Sequence, residues 1–180
     1  MKFLVISDIH GSPVYLEKVL NIFESNNYDK LILLGDELYH GPRNPIPEGY
    51  NPKKVIEMLN QYKEKIIAVR GNCDSEVDQM MLNFPIMSDY HLIIWNNKKI
   101  FITHGHIYNK DNPLPLEKGD ILLYGHFHIP MIIEENNHFF LNPGSITLPK
   151  ENSPHCYGSF ENNSFIIRDT NQNIILKKDF

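Results

Sequence analysis

Three short, unbroken apolar runs constrain this chain more than any other feature. They are Lys2 to Ser7 (KFLVIS), Leu31 to Leu34 (LILL) and Ile66 to Val69 (IIAV). Runs of this length, bounded by polar residues, mark strands buried on both faces. Two helical patterns lie between them. Ser12-Pro13 opens the first, with Ser as N-cap and Pro in the first turn. Its apolar stripe is Leu16, Val19, Leu20 and Phe23, at i, i+3, i+4 and i+7. Asn51-Pro52 opens the second, with Val55, Met58, Leu59 and Tyr62 as its stripe. The order β-α-β-α-β predicts a parallel sheet with right-handed crossovers. Its strands end at a common edge, where loops bring distant side chains together.

Beyond Ser75 a brief helix is expected, and then the pattern changes. His91 to Trp95, Lys99 to Thr103, Ile121 to Tyr124, Met131 to Glu134, Phe139 to Leu141, Tyr157 to Phe160, Phe165 to Arg168 and Ile174 to Lys177 all read as strands. Asn-Asn and Asn-Gln turns separate many of them. They predict a second, more antiparallel sheet. No internal repeat or linker divides the chain. The whole span 1–180 is expected to be one domain, long enough to bury a sizeable core.

Charge and cysteine usage narrow the function. A formal charge of −5 argues against long nucleic acid as a partner, because such binding needs Lys and Arg to displace phosphate counterions. Cys73 and Cys156 are too few for a disulfide framework. The N-terminus reads as a strand, not a signal peptide, and no apolar run approaches a membrane span. The expectation is a cytoplasmic protein with no membrane association.

Seven residues form the candidate site: Asp8, His10, Asp36, Asn72, His104, His126 and His128. Each follows a short apolar run, and none falls in a helical pattern. Carboxylate, imidazole and amide donors gathered from separate loops suit a pair of catalytic divalent ions. Asp8 and His10 stand two apart. On an extended chain such residues point the same way, and the spacing recurs at His104 and His106 and at His126 and His128. Gly35, Gly71, Gly105 and Gly125 flank the candidates and allow tight turns. Taken singly, each signal is weak. A lone His after a strand is usually a hydrogen-bonded surface residue, Gly35-Asp36 alone is a plain turn, and Asn72-Cys73-Asp74 alone caps a helix. Their joint occurrence in this order carries the case. His40, His91, His138 and His155 lack such companions at ligand spacing and count as ordinary polar residues there.

The pattern D-x-H, G-D, G-N, H-G-H and G-H-x-H resembles that of the calcineurin-like metallophosphoesterases. The stretches Asp36 to Tyr50, Val69 to Met80 and Asn142 to Ser145 are similar to the small bacterial phosphodiesterases of the YfcE type. The likeness covers nearly the whole chain and is weakest after Pro149. It implies an α/β fold, a four-layer α/β/β/α sandwich of two mixed sheets flanked by helices. It also implies two ion sites, with Asp8, His10 and His128 on the first, Asn72, His104 and His126 on the second, and Asp36 bridging. No cysteine belongs to this set, so a soft thiolate site is not expected. The donors suit Mn²⁺, with Fe, Ni, Co or Zn as alternatives. Asp36, Asn72, Cys73 and His104 stand at the catalytic positions. The implied reaction is attack on a phosphate diester by a hydroxide shared between two ions roughly 3.5–4 Å apart.

Cys73 departs from the wider family, where a histidine follows the motif asparagine. A thiol is a poor acid and a weak donor, so esters with good leaving groups are expected, and diesters over monoesters. Equally, Cys73 could simply pack beside the site. The Pro/Gly-rich loop 37–51 follows Asp36 and is expected to overhang the site, offering Tyr39, His40 and Arg43 to a small diester substrate. Asp74 and His106 are candidates for orienting the ligand imidazoles. The Asn142 to Ser145 turn is expected to pack under the Gly125 to His128 loop. The alternatives are a phosphomonoesterase, a nucleotide pyrophosphatase, or a non-catalytic scaffold of the same fold, as in the retromer. Self-association is left open by the resemblance, with the tail after Ser145 as a source of an edge strand.

Overall fold

The computed structural model describes residues 1–180. The expected β-α-β-α-β unit is present: β1 (Phe3–Ile6), α1 (Pro13–Ser25), β2 (Lys30–Leu33), α2 (Pro52–Asn60) and β3 (Ile66–Ala68). β1 pairs parallel with β2, and β2 pairs parallel with β3. The apolar runs are continuous because both faces of these strands are covered. Leu4, Ile6, Leu31 and Leu33 face α1 and α2, while Phe3, Val5, Ile32 and Leu34 face a second sheet. Leu4, Val5 and Ile6 are fully buried, and truncating Leu4 or Ile6 to Ala costs about 2–5 kcal/mol.

Pro13 begins α1 as expected, but Ser12 does not cap it; its hydroxyl donates to the Glu48 carbonyl and ties α1 to the following loop. Asn51 does cap α2, accepting from Lys54 N–H. The brief helix α3 (Glu76–Met81) starts in a reciprocal Ser75–Asp78 capping box.

The second half contains all eight expected strands: β4 (Tyr90–Trp95), β5 (Lys98–Thr103), β6 (Ile121–Leu123), β7 (Pro130–Glu135), β8 (His138–Pro143), β9 (Cys156–Glu161), β10 (Ser164–Asp169) and β11 (Ile174–Asp179). They do not form one antiparallel sheet. The second sheet has the order β4-β5-β6-β8-β7, and its β5-β6 and β6-β8 pairs are parallel. β9, β10 and β11 instead extend the first sheet, with β9 antiparallel to β1, giving the order β11-β10-β9-β1-β2-β3. Phe160, Phe165 and Ile167 share the core between the sheets with Ile100, Ile102, Ile121 and Leu123. Strands of either sheet need an apolar face toward that core, so the pattern fixed the strands but not which sheet each joins.

Two mixed sheets thus lie face to face, flanked by few helices. α1 and α2 cover the first sheet. Over the second sheet the outer layer is the non-helical stretch 104–120, whose Leu114 packs on Leu122, Tyr124 and Phe140. β11 lies at an open edge of the first sheet. No helix is long and apolar enough to cross a membrane.

Candidate metal centre

The seven candidates come from the carboxyl ends of five strands. Asp8 and His10 follow β1, Asp36 follows β2, Asn72 follows β3, His104 follows β5, and His126 and His128 follow β6. Backbone hydrogen bonds lock these loops to one another: Asp8 N–H to Gly35 O (3.1 Å), His10 N–H to Asp36 O (2.8 Å) and Gly125 N–H to His104 O (2.8 Å). The Asn142 side chain donates to Gly125 O (2.7 Å), and the Ser145 hydroxyl donates to Asp8 O (3.0 Å). The Asn142–Ser145 turn therefore supports the Gly125–His128 loop as expected.

The route by which the side chains converge differs from the extended-chain argument. Asp8, His10, Asp36, His126 and His128 all have left-handed backbones, with φ between 50° and 65°. Side chains at i and i+2 meet here because the chain turns at both residues, not because it alternates. Five non-glycine residues in this region are costly unless surrounding contacts enforce them, and such strain gathers at functional sites. Close approach adds to the constraint. A Cβ at Gly71 would overlap the Asp36 carboxylate, and one at Gly125 would overlap the Ser7 hydroxyl.

Asp8 Oδ1 lies 3.2 Å from His128 Nε2 and 3.7 Å from His10 Nε2. The two imidazole nitrogens are 3.4 Å apart. Asp36 Oδ2 sits 3.8 Å from His10 Nε2 on one side and 3.5 Å from His104 Nε2 on the other. His104 Nε2 is also 3.1 Å from Asn72 Oδ1 and 3.2 Å from His126 Nδ1. Two clusters therefore adjoin, with the Asp36 carboxylate between them.

The hydrogen-bond directions around the imidazoles make this donor set fit cations. His10 Nδ1 contacts Tyr39 O (2.9 Å), His104 Nδ1 contacts Leu34 O (2.6 Å), and His128 Nδ1 contacts Leu148 O (2.5 Å). A carbonyl only accepts, so each Nδ1 carries the proton and each Nε2 offers a lone pair. The Nε2 pair of His10 and His128 is then two acceptors facing each other, and His104 Nε2 faces an amide oxygen, a carboxylate and a further imidazole. Asp8 Oδ2 accepts from the Ser7 hydroxyl (2.6 Å) and His126 N–H (3.1 Å). Asp8 Oδ1 is buried with no hydrogen-bond donor. Buried acceptors converging without donors are costly unless a cation lies among them.

The same crowding shifts protonation. Burial alone would raise the Asp8 carboxyl, but the His128, His104 and His10 rings around it hold it well below the usual carboxylate range. Burial lowers the His126 imidazole to about 4, with the His104 ring adding to the effect. Burial also opposes the charged form of His128, yet the facing Asp8 carboxylate raises it overall.

Above this floor opens a cleft of about 500 Å³, lined by Asp36, Asn72, Cys73, His126 and His128 and rimmed by Arg43, Asn44, Phe127 and Lys150. Arg43 reaches the cleft as expected. Tyr39 and His40 do not line it. Tyr39 faces a separate apolar depression beside α2 and α3, and His40 packs edge-on between Tyr39 and Tyr50. The reason lies in Gly41, whose φ of 79° turns the loop so that the residues after it, not before it, meet the cleft. Their contribution is structural: the Tyr39 carbonyl fixes the His10 tautomer.

Asp74 orients backbone, not imidazoles. Its carboxylate accepts from Asp36 N–H (2.8 Å), Glu37 N–H (3.0 Å) and Gly71 N–H (2.7 Å), clamping the loops after β2 and β3 together. Backbone carbonyls take the orienting role predicted for it. His106 packs its ring against His104 (5.3 Å between centroids) and His126 (6.3 Å) without a hydrogen bond to either. Cys73 lies beside the cluster, as its expected catalytic position requires: its Sγ is within 4.8 Å of the donor atoms of His10 and Asp36. Burial and the Asp36 charge push this thiol up, so it remains protonated. Its backbone N–H donates to Asp36 Oδ1 (2.8 Å).

Four residues carry no signal that the sequence reading used, and Asn44 beside Arg43 on the cleft is one of them. Lys150 and Phe127 line the cleft, and Phe127 is visible in retrospect as the central residue of the His126–His128 pair. Glu37 is fully buried with both carboxyl oxygens lacking partners, and burial beside Asp74 raises it well above the usual range. Nothing in the sequence separates it from an exposed loop acid.

Comparison with known proteins places this architecture. The profile of the calcineurin-like phosphoesterase superfamily domain matches residues 1–164. The chain is 44% identical to phosphodiesterase YfcE of Escherichia coli strain K12 over 176 residues, covering 98% of this chain and 96% of the relative. The solved structure of that E. coli phosphoesterase superposes with a TM-score of 0.97, covering 99% of this chain and 98% of the other. Vacuolar protein sorting 29 from Cryptosporidium parvum, 19% identical, shares the fold with a TM-score of 0.65 over 99% of this chain and 98% of its own. With the profile spanning most of its length and its two mixed sheets arranged as in a relative of 44% identity, the chain belongs to the calcineurin-like phosphoesterase superfamily.

Proposed function

We propose that this protein is a metal-dependent phosphodiesterase acting on small diesters. The observation that carries the reading is the set of donor-free acceptors around Asp36, flanked by His10 on one side and His104 on the other. Asp8, His10 and His128 would hold one ion, Asn72, His104 and His126 a second, and Asp36 both. Hard oxygen and imidazole donors with a protonated thiol nearby favour Mn²⁺ over thiophilic ions. Such ions, once bound, supply Lewis acidity to the phosphoryl oxygens and lower the pKa of water for in-line attack.

The chain's own residues set up that chemistry. Carbonyls of Leu34, Tyr39 and Leu148 hold three imidazoles with lone pairs inward. The Asp74 clamp fixes Asp36 opposite Gly71. Asn72 and Cys73 stand at the cleft wall. The raised thiol of Cys73 is a weak acid, which supports good leaving groups and diesters, whose single charge repels an incoming anion less. E. coli YfcE, whose name records phosphodiesterase activity, supports the same choice. A net charge of −5 and a cleft rimmed by only two cations favour small substrates over polymers. A reducing cytoplasm would keep both thiols free.

One observation favours a second reading. Arg43 and Lys150 on the rim suit a dianionic monoester or a pyrophosphate. The assay that decides is hydrolysis of bis(p-nitrophenyl) phosphate and p-nitrophenyl phosphate by protein reconstituted with Mn²⁺. Faster diester turnover, abolished by chelation, is the expected result. A faster monoester reaction selects the alternative, and inertness toward both with metal bound leaves only a scaffold.

A further inference from the structure

Phe127 is a large apolar side chain standing in the open between two imidazoles of the metal centre, 43% exposed. It is not loose. Its ring meets His126 edge-to-face at 5.3 Å and Tyr124 at 5.9 Å, and its N–H bonds to Gly125 O at 2.7 Å. The ring is thus a fixed wall of the metal cleft. It is also a wall of a second cavity of about 210 Å³, lined by Tyr124, Ile129 and Met131.

That second cavity offers little to a polar ligand. Asn142 spends its amide on Gly125 O and its carbonyl on Gly144 N–H. Asn109 donates to Gly105 O and accepts from Asp111 and Asn112. The Lys110 ammonium is paired with Glu135 at 2.8 Å, and the Tyr124 phenol is engaged by the Lys110 backbone. Apart from the exposed Asp111 carboxylate, these polar groups are satisfied internally, and the remaining wall is aromatic, aliphatic and thioether. Pockets for whole drug-sized ligands span ~300–1,000 Å³, so this volume suits one ring system.

We propose that this pocket, entered past Phe127, takes a flat aromatic ring carried on one ester group of the diester while its phosphate lies over the metal centre. The inference rests on the phosphodiesterase reading and adds the substrate class, a diester with an aryl or nucleobase substituent. Phe127 offers the ring an edge or face contact of the kind aromatic pairs favour, and Met131 adds a polarisable sulfur.

The test compares three diesters with the same leaving group on Mn²⁺-loaded protein: bis(p-nitrophenyl) phosphate, methyl p-nitrophenyl phosphate and thymidine 5′-(p-nitrophenyl) phosphate. The expected result is a KM for the methyl ester at least about tenfold above that of the better ring-bearing ester. A low KM for the thymidine ester assigns the pocket to a nucleobase; a low KM for the bis-aryl ester alone assigns it to a ring on the phosphate oxygen. In Phe127→Ala and Met131→Gln the ratio should fall toward one. Calorimetry gives a readout without turnover: phenylphosphonate should bind more tightly than methylphosphonate to the parent, and the gap should close in both variants. Equal KM values in the parent, or an unchanged ratio in both variants, overturn the inference while leaving the diesterase reading intact. Failure to hydrolyse any of the three diesters overturns that reading, and this inference with it.

Discussion

The floor and the rim of the cleft are built on opposite terms. Asp8, His10, Asp36, His104 and His128 are buried, and backbone groups hold every one of them. Arg43 and Phe127 on the rim stand exposed, and Arg43 has no ion-pair partner. The floor leaves its side chains no freedom, as a preorganised catalytic site requires. The Arg43 and Lys150 side chains can change without disturbing the floor, whereas the Phe127 ring packs on His126. On the proposed reading the chemistry belongs to the floor and the choice of substrate to the rim, and variants of the two should fail in different ways.

The largest effect is expected at the residue between the two clusters. Asp36→Asn keeps the shape but removes the charge facing His10 and His104. Diester turnover should fall by roughly 10³-fold, equivalent to several kcal/mol of electrophilic stabilisation, together with bound metal measured by elemental analysis. Full activity in that variant would erase the distinction between floor and rim. Next comes Asp74→Ala, which leaves three backbone amides without their acceptor. It should cost about 2–4 kcal/mol of stability and 10–100-fold in metal affinity, read by chemical denaturation and metal titration. A loss of stability with unchanged affinity would show that the clamp serves the fold alone.

This contrast also explains what was legible in the sequence. The floor is written in short motifs at strand ends, so Asp8, His10, Asp36, Asn72, His104, His126 and His128 were found together, and the structure does bring them together. Their geometry was not legible. The left-handed φ at Asp8 and His128 depends on partners far along the chain, such as Ser145 and Leu148. The rim has no motif at all. Lys150 reaches the cleft because Lys150 N–H bonds to His128 O, a contact across 22 positions, and Tyr39 was misplaced because one glycine turns the loop. The sheets show the same limit: β9 and β10 were recognised as strands, but their pairing beside β1 is a long-range choice that local alternation does not encode.

Cys73 sits where floor meets rim, half-buried with its Sγ near His10 and Asp36. Cys73→His introduces a better proton donor. For diesters with poor leaving groups the rate should rise by about tenfold, a modest share of the 10²–10⁴-fold that general acid catalysis contributes. For p-nitrophenyl leaving groups it should change little. An equal response of both classes would return Cys73 to a packing role.

Acid should act on the floor through His126. In the unfolded chain its imidazole takes a proton near 6.5, and in the folded metal-free protein only near 4. Between those values the unfolded state binds more protons, so this group destabilises the fold as pH falls. His128 acts oppositely: its raised pKa gives stability that is complete below 6.5 and lost as pH rises through the folded value. The metal-free Tm should therefore fall less steeply from pH 6.5 to 4 in His126→Gln than in the parent. Parallel Tm profiles would mean that His126 is solvated like a rim residue.

The smallest effects belong to the rim cations. Neither Arg43 nor Lys150 is built into a buried network, and exposed charge pairs contribute ~0.2–1 kcal/mol. Arg43→Ala and Lys150→Ala should each raise KM for a charged ester by about 1.5- to 5-fold and leave bound metal unchanged. The loss should shrink as salt is added, because screening at 0.1 M already acts over about 10 Å. A monoester should suffer more than a diester, since it presents the extra charge that these side chains would meet. A loss of 100-fold, or one insensitive to salt, would place that side chain in direct contact with the reacting phosphate. The boundary between a fixed floor and a tunable rim would then have to be drawn higher in the cleft.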